Sequence, residues 1–149
     1  MGYWKKISNI FSVFSRPSGN KDAVMDDNHE RQMQEAFAAA EQMYQAGDYA
    51  AAFRQMAAVA QAGDAQGQYN LAVFYRDGSG TARDEAKARF WLERAAAQDF
   101  APAQYELGFF CYQGEGGAQD MAQARTWFER AAALGHADAQ RVLNRWRGR

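Results

Sequence analysis

Apolar and small residues fall three and four positions apart through most of the chain, the spacing at which a helix presents one stripe to a core. In residues 65–77, Gly67, Leu71 and Tyr75 lie along one face, whereas Tyr69, Val73 and Arg76 lie along another. Polar breaks punctuate the pattern at regular places. Gly47-Asp48 and Gly63-Asp64 each pair a residue that accepts a left-handed conformation with a carboxylate that accepts backbone N–H bonds, so one helix stops as the next begins. The pattern predicts helices over 27–46, with Asp27 and Glu30 as a capping box, and over 49–62, 65–77 and 84–98. Further helices follow with Pro102 in the first turn, over 120–133, and over 137–146. Connections this short force antiparallel pairs. The expected fold is all-α.

Two of these pairs are one unit written twice. Tyr69, Leu71, Phe74, Gly78, Gly80, Asp84, Trp91 and Ala95-Ala96 recur at one constant offset as Tyr105, Leu107, Phe110, Gly114, Gly116, Asp120, Trp127 and Ala131-Ala132. Self-similarity at a period of roughly 20–50 residues marks a stacked-repeat architecture. A third copy begins with Ala137, Ala139, Gln140 and Leu143 and then turns polar and basic, as a terminal cap that faces water must. Ala72 and Gly108 are small where the two helices of a unit are expected to cross, and the paired alanines let neighbours approach. Leu71, Leu107, Trp91 and Trp127 are expected to fill what remains.

The repeated string A-x-A-Q-Y-x-L-G-x-x-x-x-x-G-x-G, followed by D-x-x-x-A-x-x-W-F-E-R-A-A, resembles the Sel-one-like repeat, a relative of the tetratricopeptide repeat. The resemblance implies an α/α superhelical solenoid whose members act as protein-binding scaffolds. Two copies cover 64–98 and 99–135, preceded by a degenerate first pair at 27–63 and followed by a capping helix at 136–146 and a basic tail at 147–149. Gly67 stands where the second copy has Ala103, and Cys111 replaces the aromatic seen at Tyr75. Thr81 and Gly117 occupy a loop position that the family usually gives to valine. In such proteins the first helix of each unit, helix A, builds the inner surface. That expectation assigns partner binding to Tyr69, Val73, Arg76, Tyr105, Phe109, Tyr112, Arg141 and Arg145, an aromatic strip closed by arginines that receives a peptide or helix. The alternative is that several of them pack between units, Tyr69 and Tyr105 above all.

Composition narrows the classes further. With 17 Lys and Arg against 18 Asp and Glu, nothing draws the chain as a whole toward nucleic acid. The charge is uneven, however. Lys5, Lys6, Arg16 and Lys21 precede any acid, residues 22–48 are acidic apart from Arg31, and Arg141, Arg145, Arg147 and Arg149 crowd the other end. Cys111 is the only cysteine, which excludes an intrachain disulfide and a cysteine-based zinc cluster, and also the paired cysteines of the family's antibiotic-binding branch. Residues 1–14 read as an amphipathic segment, with Trp4, Ile7, Phe11 and Phe14 on helical spacing and Lys5 and Lys6 elsewhere around the wheel. Membrane or partner docking and capping of the first repeat are both open to it. Residues 15–26, with Pro17 and Gly19, read as a linker. Neither a secretory signal nor a membrane span is expected, and Lys6 stands where a myristoylation motif needs Ser or Thr.

Chemistry-bearing constellations are sparse. His29 and His136 have no partner at metal or triad spacing and read as loop residues. Asp84 and Asp120 sit as helix caps. The glycines from Gly78 to Gly80 and from Gly114 to Gly117 follow a helix and lack the Gly-Lys-Ser/Thr of a phosphate loop. The expectation is a non-enzymatic adaptor in a bacterial cytoplasm, without cofactor, metal, nucleic acid or small-molecule substrate, bound to another protein. Alternatives are a peripheral membrane recruitment factor using the N-terminal segment, and an inhibitor or immunity-type binding protein.

Overall fold

A computed structural model describes residues 27–148, and the amphipathic segment and linker expected at 1–14 and 15–26 lie outside the described residues. Seven helices follow one another among these residues: α1 Asp27–Gln45, α2 Tyr49–Gln61, α3 Ala65–Asp77, α4 Glu85–Ala96, α5 Ala101–Gln113, α6 Met121–Ala133 and α7 Ala137–Arg147. Each packs chiefly on its neighbours in sequence, from α1 on α2 through to α6 on α7. This near-neighbour packing is that of a solenoid of helix pairs. The predicted bounds hold to within two residues; α7 runs one residue on, through Arg147, which the sequence assigns to a basic tail.

Local chemistry places the ends. The Asp48, Asp64, Asp84 and Asp120 carboxylates accept from the N–H groups of Ala51, Gly67, Lys87 and Gln123 at 2.8–3.0 Å, meeting donors that a helix start leaves unpaired. Between the helices of each full unit, the Asp84 N–H donates to the Tyr75 carbonyl at 2.9 Å and the Asp120 N–H to the Cys111 carbonyl at 2.8 Å. The loop is thereby pinned back on the end of helix A. Its second glycine reaches further. Gly80 and Gly116 have φ of +67° and +63°, and a Cβ on either would run into the backbone at Tyr49 or Glu85, in the first turn of the preceding unit's second helix. These glycines set how closely successive units stack.

The three unit junctions are not equivalent. Gly63 and Gly135 take positive φ, and between them Asp99 occupies the same position at φ 57°, the one positive-φ non-glycine among the described residues. Phe100 stands at the cap after it and makes no side-chain cap bond; its ring packs on Tyr69 at 5.6 Å, and Pro102 tolerates the unsatisfied start.

The interior divides into two clusters along the chain. One joins Phe37, Ala40, Ala52, Met56, Val59 and Phe74 across α1 to α3, and the other runs from Ala72 to Leu143 across α3 to α7. Ala95, Ala96 and Ala131 are buried as expected, Ala132 partly, and Gly108 admits the Phe128 ring, which a Cβ there would meet at 2.7 Å. The tryptophans differ from expectation. Trp91 and Trp127 are only half-buried, and the following residues, Leu92 and Phe128, fill the core. The indoles instead lie along its edge beneath arginines, with the Arg130 guanidinium 4.9 Å from the Trp127 ring and Arg94 5.8 Å from that of Trp91.

A candidate partner-binding face on the helix A surface

Helix A of each unit supplies the expected strip, and corresponding positions have different fates. In α3, Tyr69 is held against Phe100, and burial first, then the nearby Glu106 carboxylate, pushes its phenol well above the usual range. Val73 is 6% exposed, so its side chain is core and is not offered to a partner. Arg76 is tied down, its guanidinium meeting Asp77 and, across the unit boundary, Glu106 of α5, both at 3.0 Å. At this end of the strip Val73 is buried, Tyr69 is partly covered by Phe100, and Arg76 is ion-paired.

In α5 the face opens. Tyr105 stacks on His136 at 4.5 Å, Phe109 meets the buried Phe128 ring edge-on at 5.0 Å, and Tyr112 lies 5.8 Å from Trp146. Trp146 in turn meets Phe128 at 5.4 Å, so the rings of α5, α6 and α7 make one continuous cluster. Tyr112 is 39% exposed at its rim. The remaining predicted residues, Arg141 and Arg145, are exposed on α7. Arg141 pairs with Asp138 at 2.6 Å in open solvent, and Arg145 makes no ion pair among the described residues. Burial raises the pKa of the Tyr105 phenol, with Asp138 and Glu106 pushing the same way and Arg141 opposing.

Two members of this cluster were not expected from the sequence. His136 reads as a loop residue, but its Nδ1 accepts from the Ala139 N–H at 3.3 Å and caps α7 where Asp64 caps α3. Burial pushes its pKa down, against the pull of Asp138 and Glu106. The signal was its alignment with Asp64. Trp146 reads as part of the cap, although it occupies the place of Phe74 and Phe110. Gln68 and Gln104 of the repeated string are also structural. Both are buried, and their amides donate to the Ala60 and Ala96 carbonyls at 3.3 and 3.1 Å, tying helix A to the preceding helix end.

Other chemistry is thin. Cys111 is buried, its thiol pushed up by desolvation, with Arg89 3.6 Å away. No group of His, Cys, Asp and Glu among the described residues could hold a metal ion, and no described helix is long and apolar enough to cross a membrane. The N-terminal candidates Trp4, Lys5, Lys6, Ile7, Phe11 and Phe14 lie outside the described residues.

Comparison with known proteins places the architecture. The Sel1 repeat family model matches residues 65–100 and 101–136, the two full units described above. The fold is similar to that of a Sel1 repeat protein from Oxalobacter formigenes, with a TM-score of 0.66 and 28% identity, over 70% of this chain and 43% of that one. It is similar also to c5321, a protective antigen of uropathogenic Escherichia coli with an SLR fold, with a TM-score of 0.67 and 28% identity, over 74% of this chain and 25% of that one. Cysteine rich protein B of Helicobacter pylori follows with a TM-score of 0.59 and 26% identity, over 61% of this chain and 68% of its own. The chain therefore spans less than half the length of the first two. No curated protein matches by sequence. Sel1-repeat proteins generally serve as scaffolds for protein–protein interaction, typically without catalysis. Residues 65–136 therefore carry two Sel1 repeats, on a helical solenoid like those of other Sel1-repeat proteins.

Proposed function

We propose that this protein is a non-enzymatic adaptor that holds a peptide or helix of a partner protein on the helix A surface, at the end formed by α5 and α7. The observation that carries the reading is the Tyr112–Trp146 pair, two large aromatics in contact at 5.8 Å on a rigid base of buried Phe128, with Tyr112 open to solvent. Preorganised aromatics beside arginines are what binding hot spots are made of. Tyr105 and Phe109 support this corner more than they contact a partner, and Arg141 and Arg145 line it. Tyr69, Val73 and Arg76 serve the fold at the other end.

A tagged pull-down from the native cell tests this, with wild type beside a Tyr112→Ala, Arg145→Glu double variant and identification by mass spectrometry. Both residues are exposed, so the variant should fold; unchanged circular dichroism and melting confirm that. A stoichiometric partner captured by wild type and lost by the variant supports the reading. Equal capture by both moves binding off this face, and no capture by either removes the adaptor.

A further inference from the structure

Charge along the helix A face is distributed so as to name the chemistry of what binds there. At the α3 end the one arginine, Arg76, already has two carboxylates at 3.0 Å. At the α7 end the balance reverses. Arg141, Arg145 and Arg147 share one helix with a single acid, Asp138. Arg145 has no carboxylate partner among the described residues, and the Arg141–Asp138 pair is 76% and 55% exposed, so solvent competes for it and a ligand carboxylate can replace Asp138 at little cost. Favourable interaction of Arg145 and Arg147 with the C-terminal end of the helix dipole accounts for their place in the last turn. It does not account for Arg141, which lies mid-helix.

The positions involved are equivalent ones in successive units. Tyr69, Tyr105 and Arg141 correspond, as do Val73, Phe109 and Arg145. Where α3 presents a partly buried tyrosine and a buried valine, α7, which also carries Trp146, presents two exposed arginines. A side chain seated against the Tyr112 and Trp146 rings would have its chain neighbours beside guanidinium groups, which pair with carboxylates in a planar, two-pronged fashion.

Resting on the adaptor reading above, we infer that the partner segment is acidic, an Asp- or Glu-rich peptide or helix carrying an apolar or aromatic anchor, with the anchor on Tyr112 and Trp146 and the carboxylates on Arg141 and Arg145. Its affinity therefore falls with salt, and its association is electrostatically steered.

The probe is a random-peptide display library selected on the full chain. Selected peptides are then measured by fluorescence anisotropy against wild type, Arg141→Glu/Arg145→Glu, the milder Arg141→Gln/Arg145→Gln, and Tyr112→Ala. The expected result is enrichment of net-acidic peptides with one apolar anchor. Their affinity should fall by about tenfold or more on charge reversal, less on neutralisation, and again between low and high salt. Neutral or basic peptides that still lose affinity with Tyr112→Ala would overturn the acidic class and leave the binding face standing. Peptides indifferent to all three variants, or no enrichment at all, would overturn both.

Discussion

Replacing Phe128 by alanine removes the ring on which the whole α5–α6–α7 corner rests. Phe128 is fully buried and meets Tyr105, Phe109 and Trp146 with ring centroids 5.0 to 5.8 Å apart. Truncating a buried phenylalanine costs about 3–5 kcal/mol through lost transfer energy and the cavity left behind. Here the upper part of that range applies, because each edge-to-face pair contributes about 0.5–1.5 kcal/mol beyond burial. The cavity also has little to fill it, since the facing residue is Gly108. The neighbouring Trp127→Ala removes a larger side chain but a half-buried one, whose indole covers the core edge under Arg130, and should cost about 1–2 kcal/mol. Urea unfolding followed by far-ultraviolet circular dichroism compares the two, with the slope checked for constancy. For a domain stable by about 5–15 kcal/mol, the first loss shifts the midpoint far and the second modestly. If Trp127→Ala proves as costly as Phe128→Ala, or Phe128→Ala costs under about 1.5 kcal/mol, the packing described here is wrong.

Gly116→Ala should destabilise by about 2–4 kcal/mol, combining a left-handed backbone with a collision against the Glu85 carbonyl. Gly135→Ala, at φ +90° with nothing within 4 Å, should cost only the backbone part, about 1–2 kcal/mol, and equal melting temperatures for the two would deny the contact between units. His136 links the cap of α7 to pH. Its pKa lies below the ordinary 6.5, chiefly through burial, so its contribution is complete above about 6.5 and is lost as pH falls through the lowered folded value. Urea midpoints of wild type should drop across that window relative to His136→Asn, which retains an acceptor for the Ala139 N–H but does not titrate; parallel pH profiles would remove His136 as the cause.

Helix positions were legible because most boundaries are written in local chemistry, such as an aspartate whose carboxylate meets an N–H three residues on. The repeat period was legible too, and with it the stacking. What could not be read was which of two adjacent aromatics turns inward. Trp127-Phe128 differ by one step around the helix, and the choice is made by Gly108 on α5, far away in sequence. The same limit explains Val73 and Tyr69. The helical wheel separates them from Leu71, but it cannot say that α5 and Phe100 come down on that second face and cover it. His136 does lie in the turn before α7, as expected, but its capping was missed for a different reason. Its role follows from alignment with Asp64 and from the Tyr105 ring beside it, and only the first of these is visible in one dimension.

Comparison among the chain's own copies separates what holds the solenoid from what is free to vary. Positions that agree between the two full units, such as Leu71 with Leu107, Phe74 with Phe110 and Gln68 with Gln104, are buried in both. Among those that differ, some lie along the helix A strip. Val73 becomes Phe109 and then Arg145; Arg76 becomes Tyr112. Packing alone would favour repeating the α3 solution, in which the face is closed by Phe100 and neutralised by Glu106, but the chain does not repeat it. It leaves an open aromatic rim and, on α7, Arg145 with no carboxylate partner among the described residues. Arg76→Ala and Tyr112→Ala should therefore part company. The first should lower stability by breaking a part-buried pair and leave partner binding intact, and the second should leave stability nearly unchanged and abolish binding.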